Sequence, residues 1–579
     1  MSKIWQVYPL APESFFSENS GFSPVMAQLL YNRDLKTEDE IEAFLDPGST
    51  FHDPFLFRDM DGAVNLLIAK IKAGEKIVVY GDYDADGVTA SAVLFETLKI
   101  LKARVEVYLP DRVSEGYGLN REAIDQLISS GVKLAVTVDT GIRNKQEVAY
   151  AKERGLEIII TDHHTLPDSE DDLPDCLIIN PADRRNQYPF RFLAGVGVSF
   201  KLASALVSRS KLSDEQKHYL LERLLDLVAI GTVADMVTLM GENRALVSRG
   251  LDVLNSTKRP GLLELIKVSK LDNLRRLESW NIGFQIGPRL NAASRMDHAN
   301  NAFALLVCDD KTKAEVIAKD LNTRNSDRQK ITEEAVGEAR AQIDQQFAAG
   351  QKYFLAAISN QEKIWSEGII GLVAGKICER YYRPTIVVTS TEDGFKGSGR
   401  SIEEFNLIEA IEEVAQNVDG LVGKYGGHPM ACGFSVDSRE KLDRFVVELE
   451  KIASRKLSNL NLVPKIKIEQ EIPFSSVKED LLAEISLFSP FGQHNPQPKF
   501  VSRGLKILEV FYMGVDSQHV KFRLADDSGF NLWAISFGGS SDYKQCEVGD
   551  FVDLAYFAEW NEFNGRREIQ LKIIDLQKI

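Results

Sequence analysis

The chain has 579 residues, 44% of them hydrophobic, which is enough for three or four domains with sizeable cores. Its charge balance, Lys+Arg 69 against Asp+Glu 85 for a net −16, argues against passive coating of nucleic acid but leaves room for an enzyme that grips a few phosphates with local arginines and metal ions. No run approaches the ~20 apolar residues of a membrane span, the first residues lack the basic-then-apolar layout of a signal peptide, and the 5 cysteines are scattered without Cys-x-x-Cys spacing, so the expectation is a cytoplasmic protein with no membrane partner and no cysteine-based metal site.

In chain order, residues 1–50 read as a small helical segment. From 51 to 240, strand patterns alternate with helical ones, as in the βαβ units of an α/β fold with a parallel sheet. The first buried-strand pattern, 77–80, stops at Gly81, and Asp82, Asp84 and Asp86 follow on alternate residues. Three acids this close repel one another unless a cation sits among them. A second apolar run ends at Asp139, a third at Asp162, His163 and His164, and the apolar segment 225–234 is followed by Asp235. In open parallel sheets, ligands bind beyond the carboxyl ends of the strands, so these residues are expected to form one site. Oxygen-rich ligation with an imidazole suits Mn²⁺ or Mg²⁺ better than structural zinc, which favours thiolates.

Blander readings exist for each part. Asp-x-Asp-x-Asp-Gly also opens an EF-hand loop, but that loop needs Glu at its twelfth position, where this chain has Val93, and a helix in front, where it has a strand. Taken singly, Asp82 reads as a helix cap or outer group, Asp162 as a carboxylate that orients a histidine, and His163 and His164 as ordinary polar residues. The shared edge favours the site.

Residues 241–350 read as helical, with a long polar-faced stretch at 311–346 that connects two domains. A second α/β segment spans 351–455, with strands near 353–359 and 385–389. Within it, Ser398 and Arg400 of Gly-Ser-Gly-Arg-Ser put a hydroxyl, a guanidinium and flexible backbone within five residues, a candidate anion nest. The run 369–377 imitates a P-loop, yet Ile377 follows the lysine and Ile370 occupies the first glycine position, so a helix packed on its sheet is expected there. After a proline-rich passage at 489–500, short alternating strands predict a small β-barrel within 456–579. Lys521, Arg523, Trp533, Arg566 and Arg567 are its candidate strand contacts.

The motifs GDYDADG (81–87), VDTGI (138–142), TDHH (161–164) and GTVAD (231–235) resemble the DHH phosphoesterase superfamily, whose namesake here is Asp162-His163-His164. Pro110 and Arg112 ahead of GYGL (116–119), GPRLNAASRM (287–296), WSEGIIGLVAGK (365–376), GSGRS (397–401), GGHPMACG (426–433) and PFGQHNPQP (490–498) resemble its RecJ-type single-strand-specific exonucleases, in family order from about residue 50 to the end. Departures fall at Ser294, Ser366 and His494, where the family usually has glycine, histidine and glycine. None is a proposed metal ligand.

The resemblance implies an α/β protein: a parallel-sheet DHH domain, a second α/β DHH-associated domain joined by a long helix, and a C-terminal OB-type β-barrel. It implies metal-dependent 5′-to-3′ hydrolysis of single-stranded DNA to 5′-mononucleotides, in DNA repair and recombination. Two ions would be held, one by Asp86, Asp139, His163 and Asp235, the other by Asp84 and Asp139 with Asp82. His164 would contact the phosphate or position water. Arg112, Arg295, Ser398, Arg400 and His428 would bind substrate, Arg112 and Arg400 at the terminal phosphate. Implied partners are single-stranded DNA, a single-strand-binding protein and a RecQ-type helicase. Two alternatives compete. A DHH-type nucleotide or short-oligonucleotide phosphodiesterase would need neither the barrel nor the PFGxxNPxP segment, and a non-catalytic replication scaffold should have lost the acids that are all present here.

Overall fold

In the computed structural model, which describes residues 3–49, 51–112, 114–296, 298–350, 353–360, 363–563 and 566–579, the first sheet has five parallel strands. Their spatial order is Arg104–Tyr108, Lys76–Tyr80, Val132–Val138, Glu157–Thr161 and Leu177–Ile179. Lys76–Tyr80 is buried at every position because its side chains serve two cores: Ile77 and Val79 on one face, Val78 and Tyr80 on the other. Helices Ala85–Ile100, Gly195–Ser208 and Asp214–Ala234 cover the first face, and Arg121–Ser129 and Lys145–Glu153 the second. The strand order reverses between Lys76–Tyr80 and Val132–Val138, which makes their carboxyl ends the switch-point crevice where such sheets take ligands.

The helical stretch after residue 240 opens with two helices. Gly241–Asn255 ends, and Pro260, at the first position of Pro260–Val268, starts the next. The connecting helix Lys311–Ala348 has 38 residues and so spans about 57 Å; Asp310 caps it by accepting from the Thr312 and Lys313 N–H groups. It leads to a second five-stranded sheet, ordered Tyr425–His428, Ala431–Val436, Gly394–Arg400, Thr385–Thr391 and Leu355–Ile358, in which only the last two pair in parallel. The P-loop imitation lies inside the helix Glu367–Tyr381, where Ile369, Ile370, Val373 and Ile377 are buried against this sheet.

The C-terminal strands Phe500–Met513, His519–Ala525, Asn531–Ser536, Arg566–Lys578 and Phe551–Phe563 pair in that order, and the last returns to the first, closing a five-stranded barrel. The amino-terminal segment does not stand apart from it. Ile4–Val7 is a strand paired in parallel with Lys465–Ile468, and Phe15, Leu29 and Leu30 share one core with Phe488, Phe500 and Phe522. No helix among the described residues is long and apolar enough to cross a membrane.

One side chain ties this barrel module to the first domain. Arg244, 1% exposed, donates to the carbonyls of Phe44 at 2.8 Å, Phe488 at 2.8 Å and Leu487 at 2.9 Å. Its guanidinium lies 3.9 Å from the centre of the Phe44 ring. Burial, then repulsion from Arg33, pushes its pKa down to about 10. Arg244→Met should strand the two buried carbonyls of Phe44 and Phe488 and cost about 2–4 kcal/mol. Urea unfolding should show an earlier first transition, and an unchanged midpoint would rule out the arginine as the tie.

Candidate metal centre

Four chain segments deliver the site. The Gly81–Gly87 turn begins where Lys76–Tyr80 ends, and Asp84 caps the following helix, its Oδ1 accepting from the Asp86 N–H at 2.9 Å and the Gly87 N–H at 3.1 Å. Asn291 Oδ1 accepts from the Ala85 N–H at 2.8 Å, so the helix Gly287–Met296 braces the same turn. Asp86 is 1% exposed, and its two oxygens accept from the Gly195 N–H at 2.7 Å and the Val196 N–H at 2.9 Å at the start of Gly195–Ser208. A Cβ on Gly195 would lie 2.5 Å from the Asp139 carboxylate, so only glycine lets that helix end come so close.

Asp139 follows Val132–Val138 in the left-handed region at φ 63°, a conformation that aims a short polar side chain off the strand at some cost. His163 follows Glu157–Thr161, and Asp235 caps the carboxyl end of Asp214–Ala234. His163 Nε2 lies 3.1 Å from Asp139 Oδ1, 3.6 Å from Asp235 Oδ2 and 3.9 Å from Asp86 Oδ2. Three overlapping trios, Asp86–His163–Asp235, Asp82–Asp84–Asp139 and Asp139–His163–His164, each place one ligand atom per residue within 4.8 Å of the others. Asp139 belongs to two of them.

The electrostatics of this corner are those of a cation site. Two like unit charges 4 Å apart repel by about 4 kcal/mol at an effective dielectric near 20. Burial, then the neighbouring acids, hold Asp82, Asp139 and Asp235 well above the ordinary carboxylate range. Asp86 is pushed up to about 7 by burial and Asp84, against the pull of its backbone donors. Burial, then His164, pushes His163 down to about 4, leaving a neutral imidazole fit to be a ligand. Among the described residues, Asp82 Oδ1, Asp139 Oδ1 and His163 Nε2 are buried without any hydrogen-bond partner. Lone pairs converging in a dry corner fit a hard divalent ion.

Asp162, fully buried, orients rather than joins this set. Its Oδ1 accepts from the His163 N–H at 2.7 Å and the His164 N–H at 3.1 Å and lies 2.8 Å from His164 Nδ1, while Oδ2 accepts from the Ile142 N–H at 2.9 Å. Burial works to raise its pKa, but the hydrogen bond and charge of His164 outweigh it and leave the carboxyl below its usual value. Burial likewise tends to lower His164, and Asp162 reverses this. Tyr117 adds a second contact, with its hydroxyl 3.0 Å from His164 Nδ1.

The arginines line the wall between the two α/β domains. The Arg112 guanidinium stacks 4.8 Å from the Tyr83 ring centre. Arg295 Nη1 donates to the Gly368 carbonyl at 2.7 Å, joining Gly287–Met296 to the helix whose amino end Ser366 caps. Ser398 and Arg400 share one strand face, with Nη1 donating to Ser398 Oγ at 3.1 Å. Burial, then repulsion from Arg112 and Arg328, pushes Arg295 down to about 10, with Arg400 adding to the repulsion. His428 sits on the exposed edge strand Tyr425–His428, and among the described residues no hydrogen bond or ion pair ties its side chain to the other candidates.

On the barrel, Lys521 Nζ lies 4.6 Å and Arg523 5.9 Å from the Trp533 ring centre, and Phe511 packs beside that ring at 5.6 Å. Arg567 stacks 3.9 Å from the Trp560 ring centre, beside a cleft of about 560 Å³ lined by Phe530, Trp533 and Trp560. The Arg566 side chain lies outside the described residues. Sequence reasoning missed the Gly195 and Val196 N–H groups, Asn291 as a brace, and Tyr117. The run of small residues 194–197 opening an apolar helix was the signal for the first of these.

Known proteins sort with this geometry. Family models match residues 76–232 as the DHH family, N-terminal domain, residues 350–455 as the DHHA1 domain, and residues 468–575 as the RecJ OB domain. The switch-point rim thus lies in a DHH-class domain. The single-stranded-DNA-specific exonuclease RecJ of Bacillus subtilis (strain 168) is 37% identical over 563 residues, 96% of this chain and 68% of its own length. The Salmonella typhimurium protein of the same description is 32% identical over 96% of both chains. RecJ from Thermus thermophilus superposes with a TM-score of 0.81 in complex with Mn²⁺ (27% identity, 100% of this chain and 80% of that one) and 0.76 in complex with Mg²⁺ (26% identity, 100% and 78%). This chain belongs to the RecJ family.

A group held above its ordinary pKa by the fold binds protons more tightly folded than unfolded, so folding stability falls as pH rises between the two values. In chelator, the melting temperature should therefore fall as pH rises from about 4 to about 7, the interval between the ordinary carboxylate value and that of Asp86. Mn²⁺ should restore most of the loss at neutral pH. A chelated protein with a flat profile would contradict the repulsion described above.

Proposed function

We propose that this protein is a divalent-cation-dependent exonuclease that hydrolyses single-stranded DNA from the 5′ end, releasing 5′-mononucleotides. The observation that carries the reading is the convergence of the trios Asp86–His163–Asp235 and Asp82–Asp84–Asp139, with Asp139 Oδ1 3.1 Å from His163 Nε2 and with buried oxygen and nitrogen atoms lacking partners. Asp86, Asp139, His163 and Asp235 are proposed to hold one Mn²⁺ or Mg²⁺, and Asp82, Asp84 and Asp139 the other. Bound there, two such ions would polarise a phosphodiester and lower the pKa of a water.

The chain's own groups do the rest. Asp162 holds the His164 ring by Nδ1, leaving Nε2 to meet a substrate oxygen. Ser398, Arg112 and Arg400 offer a hydroxyl and two guanidiniums to a terminal phosphate, and Arg295 stands between them and Asp84. His428 reaches a bound strand only if the Tyr425–His428 edge borders its path. Lys521, Arg523 and Trp533 supply cations and a stacking face for bases farther along. The occurrence of a RecJ OB domain favours this substrate over a mononucleotide or very short oligonucleotide, and the full set of rim acids disfavours a non-catalytic scaffold. A cytoplasmic site of action in repair and recombination, with a single-strand-binding protein and a RecQ-type helicase as partners, is the family role proposed for it.

Digestion of 5′- and 3′-labelled single and double strands with Mn²⁺, Mg²⁺ or chelator tests the reading. Mononucleotides released first from the 5′ end of single strands, in metal only, are expected; equal attack on duplex or from the 3′ end would sink it. Asp139→Ala should cut turnover by at least about 10³-fold with folding intact, since both ion positions lose a ligand. Arg400→Ala should raise KM for 5′-phosphorylated ends about tenfold or more and leave 5′-hydroxyl ends nearly untouched. An equal loss on both ends would remove Arg400 from the terminal-phosphate role.

A further inference from the structure

The connecting helix carries a cation that the site described so far does not use. Arg328 lies in Lys311–Ala348, which packs along Gly287–Met296, the helix of Arg295. The Nε atoms of Arg328 and Arg295 are both buried without a hydrogen-bond partner, as is Oδ1 of Asn325, 2% exposed and one turn before Arg328. Arg289, a turn and a half before Arg295, is held in place by Nε donating to Asn322 Oδ1 at 3.0 Å and Nη1 to the Gln285 carbonyl at 2.7 Å, both neutral acceptors. Among the described residues no ion pair joins Arg289, Arg295 or Arg328 to a carboxylate. Burial, then repulsion from Arg289, lowers the Arg328 pKa.

Guanidiniums brought together without paired carboxylates repel one another, and a visiting anion relieves that repulsion. Among the described residues no carboxylate pairs with these guanidiniums, although Asp+Glu outnumber Lys+Arg 85 to 69 in the chain. The series begins beside the metal rim, where Asp84 acts on Arg295, and continues through Arg328 to Arg289 along two packed helices. We infer that Arg328, with Arg289, forms a second phosphate-binding subsite, which takes a backbone phosphodiester of the single strand outside the terminal-phosphate pocket. The inference rests on the single-strand reading above. It gives the long helix a use beyond spacing two domains, because its rigidity fixes this subsite relative to the rim.

The test is binding of a 5′-phosphorylated oligothymidylate to the full-length protein in chelator, where no hydrolysis occurs, at several salt concentrations. Arg328→Gln should weaken binding about five- to twentyfold and lower the slope of log affinity against log salt by about 0.7, one single-strand phosphate contact. Arg328→Lys, which keeps the charge but not the shape, should retain the slope; a merely structural arginine would fail equally in both. In phosphate-free buffer Arg328→Gln should melt at or above the wild-type temperature, and inorganic phosphate should stabilise the wild type more than the variant. If the wild type binds single strands and the Arg328→Gln and Arg289→Gln proteins match its affinity and slope, this inference alone falls. If the wild type does not bind single strands, the single-strand reading falls and takes the subsite with it.

Discussion

Five carboxylates in one dry corner are the constraint on which the molecule is built. Burial, then the charge of the neighbouring acids, raises the pKa values of Asp82, Asp86, Asp139 and Asp235, and folding must gather them beside Asp84 against that cost. The corner holds because no single element carries the cost. The register of Lys76–Tyr80 beside Val132–Val138 sets two acids side by side at the switch point. A helix amino end supplies two N–H groups to Asp86, and a left-handed residue turns Asp139 inward. Gly231, whose Cβ would come within 2.8 Å of the Asp86 carboxylate, lets the helix bearing Asp235 close the remaining side. The strain is local, and the surrounding apolar core over-determines it.

Opposite this corner stands its electrostatic complement. Arg112, Arg295 and Arg400 come from three separate stretches of chain, and only the docking of the second α/β domain brings Arg400 toward the other two. Arg295 performs that docking directly, through the Gly368 carbonyl, so the contact that fixes the domain angle is also part of the cationic wall. Gly371 allows the same helix to lie on the Ser398–Arg400 strand, since a Cβ there would sit 3.1 Å from both side chains. Domain arrangement and the spacing of these guanidiniums are thereby one variable.

Much of this architecture could be read from residue order because strands buried on both faces leave a simple trace, an apolar run ending abruptly in polar residues. The acids after residues 80, 138 and 161 announce a rim for that reason. Asp235 was harder, since its apolar run is a helix and periodicity alone cannot place a helix end against a particular strand. The backbone donors to Asp86 have no side-chain signature, and Asn291 reads as one more polar residue of a motif until the fold brings it to Ala85. The tie between the amino-terminal segment and the barrel was invisible because it joins residues more than 400 apart through backbone groups that every residue possesses.

Net charge misleads here for a related reason. An overall −16 suggests a protein that avoids polyanions. The potential that a phosphate meets, however, is set within about a Debye length of 10 Å, and among the described residues no ion pair ties Arg112, Arg295 or Arg400 to a carboxylate. A net-negative chain that gathers these guanidiniums beside Asp84 disfavours nonspecific coating of nucleic acid and concentrates its attraction for a phosphate at one place.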